Sequence, residues 1–450
     1  MRPVPGSPRT RHRTPLLLVA AAGVLATACT AGGGQATDPA GAPAADQQVT
    51  VTVWSDYTDR ELGVLQQALD AFHASHPNIT ITNQGGQDDD KITQSIRGGN
   101  PPDVAISFAT DNIGQFCSSG AWQDLGPYVG RDNVDLTQIP PAVLDYTEFN
   151  GVRCAMPMLA DVYGLYYNRD MFERAGITAP PRTMSELADY AKRLTVRDPD
   201  GTIQVAGFIP QLGFYANHPQ FWAPQWGARW VDDAGNSSLA TDPAWRELFT
   251  WQKELVDFYG WDNLQRFTSG LGQEYSADQG FQAGRVAMAI DGEFRTAFLA
   301  EQAPNLRYGT APAPVADARK DTYGAGAVTG TVIGIPRGAR NAGAAWEVVK
   351  YLTTDTGAVV NLANGLHNVP TTRAASTSPD LKLPEQFGPF LEVFASPYLA
   401  STPTSTIGDQ YIKFTEDFAN SWQTGQVTDL AAGLAQLDDQ INQAKQLGGR

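Results

Sequence analysis

Residues 51–82 read VTVWSDYTDRELGVLQQALDAFHASHPNITIT, and this stretch decides the fold class. Alternating β-favouring residues at 49–54 predict a strand. Thr58 and Glu61 have the spacing of a capping box and precede an apolar stripe of helical period. That stripe consists of Leu62, Leu65, Leu69 and Phe72. Residues 78–82 then predict a second strand, so the stretch indicates a strand–helix–strand unit.

Similar alternation continues along the chain. Residues 103–107 predict a third strand, Thr183 with Glu186 predicts another capped helix, and Asp242 with Pro243 predicts the start of a third helix. Alternation of this kind predicts an α/β fold with largely parallel sheets. The length of 450 residues exceeds what one core supports, so two domains are expected. Ligands in such folds bind beyond the carboxyl ends of the strands.

The amino terminus predicts export. Arg residues without any acid precede the apolar run 16–28, which is too short to span a membrane and which ends at Cys29. Residues 1–28 are therefore predicted to be a signal peptide. Cys29 makes this leader resemble that of a bacterial lipoprotein, which implies lipidation of Cys29 and a flexible tether over residues 29–46. An ordinary cleaved signal is the alternative.

Charge and cysteine content narrow the functional classes. The chain has 32 basic and 48 acidic residues, and removal of residues 1–28 takes away four Arg and no acid, which leaves a net charge of about −20. Such a surface argues against nucleic acid and anionic lipid as partners. Cys117 and Cys154 remain, and in an oxidising compartment they form either one disulfide or two separate buried thiols.

A series of segments covers nearly all of residues 49–370 in order, and the opening stretch is the first. The others are IRGGNPPDVAISFATDNIGQF (96–116), SGAWQDLGPYV (119–129), FNGVRCAMPMLADVYGLYYNRDMFERAGITAPPRTMSELADYAKRL (149–194), FQAGRVAMAIDGEF (281–294), YGTAPAPV (308–315) and TVIGIPRGARNAGAAWEVVKYLT (331–353). Together these segments resemble one family, the bacterial extracellular solute-binding proteins for carbohydrates, the group that contains maltose-binding protein. Met184 and Phe294 stand where the family more commonly has Trp.

The resemblance implies two α/β lobes joined by crossing hinge strands, with the ligand in the cleft between them. The first lobe would comprise residues 47–158 and 318–368, and the second residues 159–317 and 369–450. It also implies a monomer without catalysis or cofactor, which delivers its ligand to an ABC permease with an associated ATPase. The membrane would be contacted through the lipid anchor alone.

Candidate ligand residues follow from what a sugar requires, namely aromatic rings for its C–H face and carboxylates for its hydroxyls. Resemblance favours Asp161 and Phe294 most, and then Asp111. Position at strand ends or in a Trp-rich segment adds Trp54, Asp56, Trp222, Trp226 and Asp291. Thr329 and Gly330 lie where the chain is expected to return through the hinge, where backbone amides bind ligand or the glycine merely permits the crossing.

Alternatives remain open at this stage. For each Trp, the alternative to ligand binding is packing in the core. For Asp56, the alternative is to brace the turn before the first helix. The same fold would also accept a polyamine, an iron complex or a glycerophosphodiester, and Arg295 beside Asp291 keeps the last one open. A glycoside hydrolase would also combine aromatic residues with paired carboxylates. No metal site is expected, since 88–90 and 198–201 read as turns.

Overall fold

The computed structural model describes residues 39–448. The strands are β1 (Val49–Trp54), β2 (Ile79–Gln84), β3 (Val104–Ser107), β4 (Glu148–Phe149), β5 (Val152–Arg153), β6 (Met156–Asn168), β7 (Val196–Arg197), β8 (Ile203–Phe208), β9 (Val286–Gly292), β10 (Tyr308–Pro312), β11 (Gly326–Gly334), β12 (Val369–Pro370) and β13 (Leu399–Ala400). The predicted signal peptide (residues 1–28) and the predicted lipidation site Cys29 lie outside the described residues.

The helices alternate with these strands, as the sequence predicts. They are α1 (Asp59–Ser75), α2 (Asp89–Arg97), α3 (Ile113–Ser118), α4 (Gly126–Arg131), α5 (Pro141–Asp145), α6 (Arg169–Arg174), α7 (Met184–Leu194), α8 (Pro219–Trp226), α9 (Pro243–Tyr259), α10 (Trp261–Thr268), α11 (Arg295–Gln302), α12 (Ala342–Thr354), α13 (Thr356–Leu366), α14 (Arg373–Ser376), α15 (Gly388–Phe394), α16 (Gln410–Gln423) and α17 (Leu430–Gly448).

The strand order is β2-β1-β3-β11-β6-β9-β8-β7. β1 runs parallel to β2 and β3, and β8 runs parallel to β9. Between these two parallel groups, β6 and β11 pair antiparallel to each other. The 13-residue β6 is long enough to pair along its length with β11, β9, β10 and β12. The two parallel groups are thus joined through the β6–β11 pair.

Two hydrophobic cores accompany the two groups of strands. The smaller core packs β1, α1 and β3 against α12 and α13, whose buried residues include Trp346 and Leu362. The larger core is built chiefly around β6, β8, β9, α9 and α16. The chain therefore returns to its first sheet, through β11, α12 and α13, only after the second group of strands is complete.

Two of the three helix starts predicted from the sequence are confirmed, whereas residues 88–90, which were predicted to form a turn, cap and begin α2. The capping box of Thr183 and Glu186 forms, and Asp242 caps α9 at Pro243. The box predicted at Thr58 is wrong, because the Thr58 side chain caps no described N–H group. The N–H of Glu61 donates instead to the Thr58 carbonyl oxygen at 3.1 Å, and the Glu61 carboxylate pairs with Arg60.

Cys117 in α3 and Cys154 immediately before β6 form a disulfide. The prediction of a disulfide is thereby confirmed, and the alternative of two separate thiols is excluded. The bond ties a short helix beside the first sheet to the start of β6.

Candidate functional site: a carboxyl pair between the two strand groups

Asp161 and Glu293 are brought together by the pairing of β6 with β9. Tyr163 of β6 lies opposite Gly292 of β9, so the residues just beyond, Asp161 and Glu293, meet at the same edge. The side-chain amide of Asn368 donates to Asp161 Oδ1 and to Glu293 Oε1, which holds the two carboxyl groups side by side. The other oxygen of Glu293, Oε2, accepts the N–H of Val162 at 2.6 Å. Asp161 is partly exposed and Glu293 is fully buried, so Asp161 forms the accessible side of the pair.

Asn368 connects the pair to a third strand. It immediately precedes β12, which pairs with β6 at Ala160. Its side-chain amide donates to Asp161 Oδ1 and, at 3.1 Å, to Glu293 Oε1. Three segments that are distant in sequence therefore meet in one hydrogen-bonded group. Among the described residues, no Lys, Arg or His side chain forms an ion pair with either carboxyl group.

Burial without a counter-charge changes the acidity of both groups. Burial raises the pKa of Asp161 to about 6, although its hydrogen bonds with Glu293 and Asn368 lower it, and the charge of Glu61 adds to the rise. Burial, and then the neighbouring charge of Asp161, raises the pKa of Glu293 well above its ordinary value. Each carboxyl group therefore raises the free-energy cost of ionising the other.

Hydroxyl groups and aromatic rings lie near the carboxyl pair of Asp161 and Glu293. The hydroxyls of Tyr57 and Thr331 are 3.3 Å apart, and the ring of Tyr57 lies 4.8 Å from that of Phe108. On the side of β9, the ring of Phe294 lies 6.5 Å from that of Tyr275. Phe108 and Tyr275 are 41% and 55% exposed, which is unusual for large aromatic residues and leaves ring faces open to a ligand.

Thr329 and Gly330 lie in β11 directly opposite Asp161 and Ala160. A Cβ atom on Gly330 would lie 2.3 Å from the carbonyl oxygen of Leu159, so only glycine fits. This close approach favours the interpretation that Gly330 permits the strands to cross.

Trp54 and Asp56 lie at and just after the end of β1. Trp54 is half-buried and packs against the larger core, whereas Asp56 is exposed. Asp56 lines an open pocket of about 430 Å³ together with Asp89 and Phe108. Asp56 therefore lies on the same side of the first sheet as the exposed Phe108 ring.

Asp111 belongs to a different group of side chains. It accepts a hydrogen bond from the Thr402 hydroxyl. Burial raises its pKa to about 6, partly offset by that bond, and the charges of Asp409 and Glu416 add to the rise. These partners come from the carboxyl-terminal part of the chain, and none of them bonds to the Asp161 pair.

Trp222 and Trp226 point into the larger core. Trp222 is 1% exposed, and its Nε1 donates to Asn217 at 2.6 Å. Both indole rings contact Trp251, with centroids 5.7 and 6.1 Å apart. Neither ring offers a free face in this structure, which gives both a packing role. The neighbouring Phe221 stacks instead on Tyr163, with centroids 3.6 Å apart.

Asp291 is committed to an internal ion pair. Its Oδ2 accepts from Arg295 Nε at 2.6 Å, and both side chains are buried. The rings of Tyr275 and Phe298 cover the guanidinium group at 5.6 and 5.2 Å. Asp291 therefore orients Arg295 beneath the aromatic residues, and it is not itself open to a ligand.

Several residues of this site have no counterpart among the sequence predictions: Glu293, Asn368, Tyr57, Phe108 and Tyr275. Glu293 lies between two residues that were predicted, Asp291 and Phe294, so its position was a signal. Within residues 39–448, no cluster of side chains could hold a metal ion, and no helix is both long and apolar enough to cross a membrane. Residues 198–201 form the expected turn, between β7 and β8.

A sequence profile described as bacterial extracellular solute-binding protein matches residues 57–359. A putative binding protein of Brucella abortus (strain 2308) is 29% identical over 314 residues, which are 68% of this chain and 72% of that protein. The maltotriose-binding protein of Pyrococcus abyssi is 22% identical, over 74% of this chain and 68% of its own. The solved structure of CpMnBP1 with mannotriose bound matches with a TM-score of 0.76 and 25% identity, over 88% of this chain and 100% of that one.

The fold and the site together define a two-lobed α/β binding protein, which confirms the fold class predicted from the sequence. The chain belongs to the family of bacterial extracellular solute-binding proteins. That family is extracellular, in agreement with the predicted export.

Proposed function

We propose that this protein is the substrate-binding component of an ABC importer and that it captures a neutral mono- or oligosaccharide by hinge closure. The lobes would comprise residues 47–158 with 318–368 and residues 159–317 with 369–450. Asp161 would accept ligand hydroxyls, and Phe294, Phe108 and Tyr275 would stack on the sugar faces. The observation that carries the proposal is the carboxyl pair of Asp161 and Glu293, which Asn368 bridges and which exposed aromatic rings border.

Each part of this arrangement matches one part of a sugar. An ionised carboxylate accepts hydroxyl donors in strong, charge-assisted hydrogen bonds. The exposed rings provide apolar area at a small cost in conformational entropy. The names of relatives agree in kind, since they include maltotriose- and mannitol-binding proteins and a structure with mannotriose bound.

The alternative ligands fit this arrangement less well. A glycerophosphodiester would need an accessible cation, and Arg295 is 1% exposed with its Nε paired to Asp291, although its two Nη atoms have no hydrogen-bond partner among the described residues. A glycosidase holds its two carboxyl groups roughly 5–10 Å apart, with the substrate between them. One amide nitrogen of Asn368 donates to both Asp161 and Glu293, so the space between these carboxyl groups is already filled by a side chain of the protein. Aromatic rings and acidic groups would also suit a polyamine, so spermidine belongs in the test.

A thermal-shift screen tests the ligand class. The purified protein would be heated with mannotriose, maltotriose, mannitol, spermidine and glycerophosphocholine. A ligand at 100 times its Kd stabilises the folded state by about 2.7 kcal/mol. We expect a shift with a sugar, lost in Asp161→Asn and Phe294→Ala. The matched controls are Asp439→Asn and Phe258→Ala, which change an exposed residue of the same type on α17 and α9.

A shift with spermidine alone would overturn the sugar assignment and leave a binding protein for cations. Release of reducing ends from mannotriose or maltotriose would indicate an enzyme instead.

The membrane anchor is tested separately. We propose that Cys29 carries the lipid and that the permease and its ATPase lie in separate chains. Cys29→Ala should move the protein from the membrane fraction to the soluble fraction. An unchanged distribution would contradict anchoring through Cys29.

A further inference from the structure

We propose that Glu293 is a positioning residue for Asp161: it keeps one proton between the two carboxyl groups, so that Asp161 accepts ligand hydroxyls only within a bounded pH range. This inference rests on the proposed function for its ligand, but the proton itself is a property of the ligand-free protein.

The geometry favours a shared proton. One amide nitrogen, that of Asn368, donates to Asp161 Oδ1 and to Glu293 Oε1, so the two carboxyl groups lie close together. Two ionised carboxylates held this close, without a paired cation among the described residues, would repel each other, and one proton removes that repulsion. Glu293 Oε2 is occupied by the N–H of Val162, which leaves Oε1 to the amide of Asn368. Glu293 is fully buried and Asp161 is partly exposed, so ionising Glu293 costs more free energy than ionising Asp161. The proton is therefore bound preferentially by Glu293. Asp161 then keeps the charge on the accessible side.

Among residues 39–448, no cation is paired with either carboxyl group. The titratable groups that face the pair are Glu61 of α1 and the tyrosines Tyr57, Tyr146, Tyr163, Tyr166 and Tyr275. Of the nearby cations, Arg60 pairs with Glu61 at 3.5 Å and Arg295 pairs with Asp291 at 2.6 Å. His367, next to Asn368, bonds to Thr296, and its pKa is lowered by burial and by Arg60, so it is neutral near pH 7. The shared proton is therefore what stabilises the pair.

Asn368 makes the pair sensitive to the hinge. It holds both carboxyl groups from the segment that enters β12, one of the strands expected to cross between lobes. A second negative charge on the pair would repel the first at this joint. In acid, protonation of Asp161 would remove the negative charge with which it accepts strong hydrogen bonds from ligand hydroxyls.

Two limits on binding follow. Below about pH 6, protonation of Asp161 should weaken binding of mannotriose or maltotriose. On the alkaline side, loss of the proton from Glu293 should weaken it again. Beyond each limit, Kd should rise by up to about tenfold per pH unit where one group alone is responsible.

The first experiment needs no ligand. Infrared spectra at pH 7.5 should show the carbonyl band of a neutral carboxyl group, and this band should shift when only Glu is labelled with ¹³C. Glu293→Gln, which mimics a protonated carboxyl group, should abolish the band. The control Glu254→Gln, an exposed glutamate on α9, should retain it. If the folded wild-type protein shows no Glu-derived band, the inference is wrong, whatever the protein binds.

The second experiment uses calorimetric titrations with mannotriose and maltotriose from pH 5 to pH 9. The wild type and Glu254→Gln should show both limits. Glu293→Gln should bind at pH 7, retain the acid limit and lose the alkaline one. An identical alkaline limit in Glu293→Gln would overturn the inference. If the infrared band is present but neither sugar binds, the proposed ligand has failed and the shared proton stands.

Discussion

The hydroxyl of Thr402 donates a hydrogen bond to the carboxylate of Asp111, across 291 positions of sequence. Asp111 follows β3 in the first sheet, and Thr402 follows β13, which pairs with β11. The same contact region includes Gly114, where an added Cβ would lie 2.2 Å from the carbonyl oxygen of Ser405. The segment after β13 thus closes tightly over α3.

Asp111 should make stability depend on pH. Its folded pKa of about 6 lies above the ordinary value of 3.8 because of burial, so the folded state binds the proton more strongly. Stability should therefore fall as pH rises from about 4 to 6, by roughly 1–3 kcal/mol. Asp111→Asn keeps an oxygen for Thr402 and should remove this part of the loss. Urea midpoints at pH 4.5 and 7.5 measure it, and an equal loss in Asp111→Asn and the wild type would contradict the assignment.

The two predicted capping boxes offer a matched comparison. Thr183→Ala should destabilise the protein by about 1 kcal/mol, because its hydroxyl accepts the N–H of Glu186. Thr58→Ala should cost less, since the Thr58 hydroxyl makes no such bond to a described residue. Urea denaturation of both variants tests this, and an equal or larger loss for Thr58→Ala would show that the first helix is capped differently in solution.

Substitution of Trp222 distinguishes a packing role from a ligand-binding role. Trp222→Phe removes the bond to Asn217 and leaves a buried oxygen unpaired, at a cost of roughly 1–3 kcal/mol. Because the indole is buried, we expect the Kd for any sugar found in the screen to change less than about twofold, well below 1 kcal/mol. Trp261→Phe, at a half-buried position, is the control for loss of an indole. A large loss of affinity with unchanged stability would restore Trp222 as a stacking ring.

The disulfide should contribute to stability through the loop it closes. Cys117 and Cys154 are 37 positions apart, and closing such a loop reduces the entropy of the unfolded chain by an amount worth about 2–4 kcal/mol. A reducing agent should lower the urea midpoint of the wild type and leave that of the Cys117→Ala, Cys154→Ala double variant unchanged. Equal sensitivity of both proteins would place the effect elsewhere.

Local patterns in the sequence were sufficient for much of the fold. The first strand, the capped helix at Thr183 and the start of α9 at Pro243 depend on neighbouring residues and were predicted correctly. The Thr58 box failed because Asp59 enters its helix with φ of +45°, a conformation that spacing alone does not reveal.

The candidate site was harder to predict because it depends on contacts between distant segments. Asp161, Phe294 and Asp56 were found from strand ends and resemblance, and they remain predictions as ligand contacts. Glu293 and Asn368 lie 132 and 207 positions from Asp161, and only the pairing of β6 with β9 and β12 brings them there. The Trp-rich segment 221–230 suggested stacking rings, but aromatic content does not distinguish a core from a platform.

The interleaved construction of the first sheet has a consequence for how the chain matures. β1 and α1 emerge first during synthesis, yet the helices that cover them, α12 and α13, end at residue 366. Until those helices have been made, the amino-terminal segment lacks the apolar partners that would let it fold. We expect the first core to be completed only after α13 has been synthesised, which would delay folding of the amino-terminal segment during export.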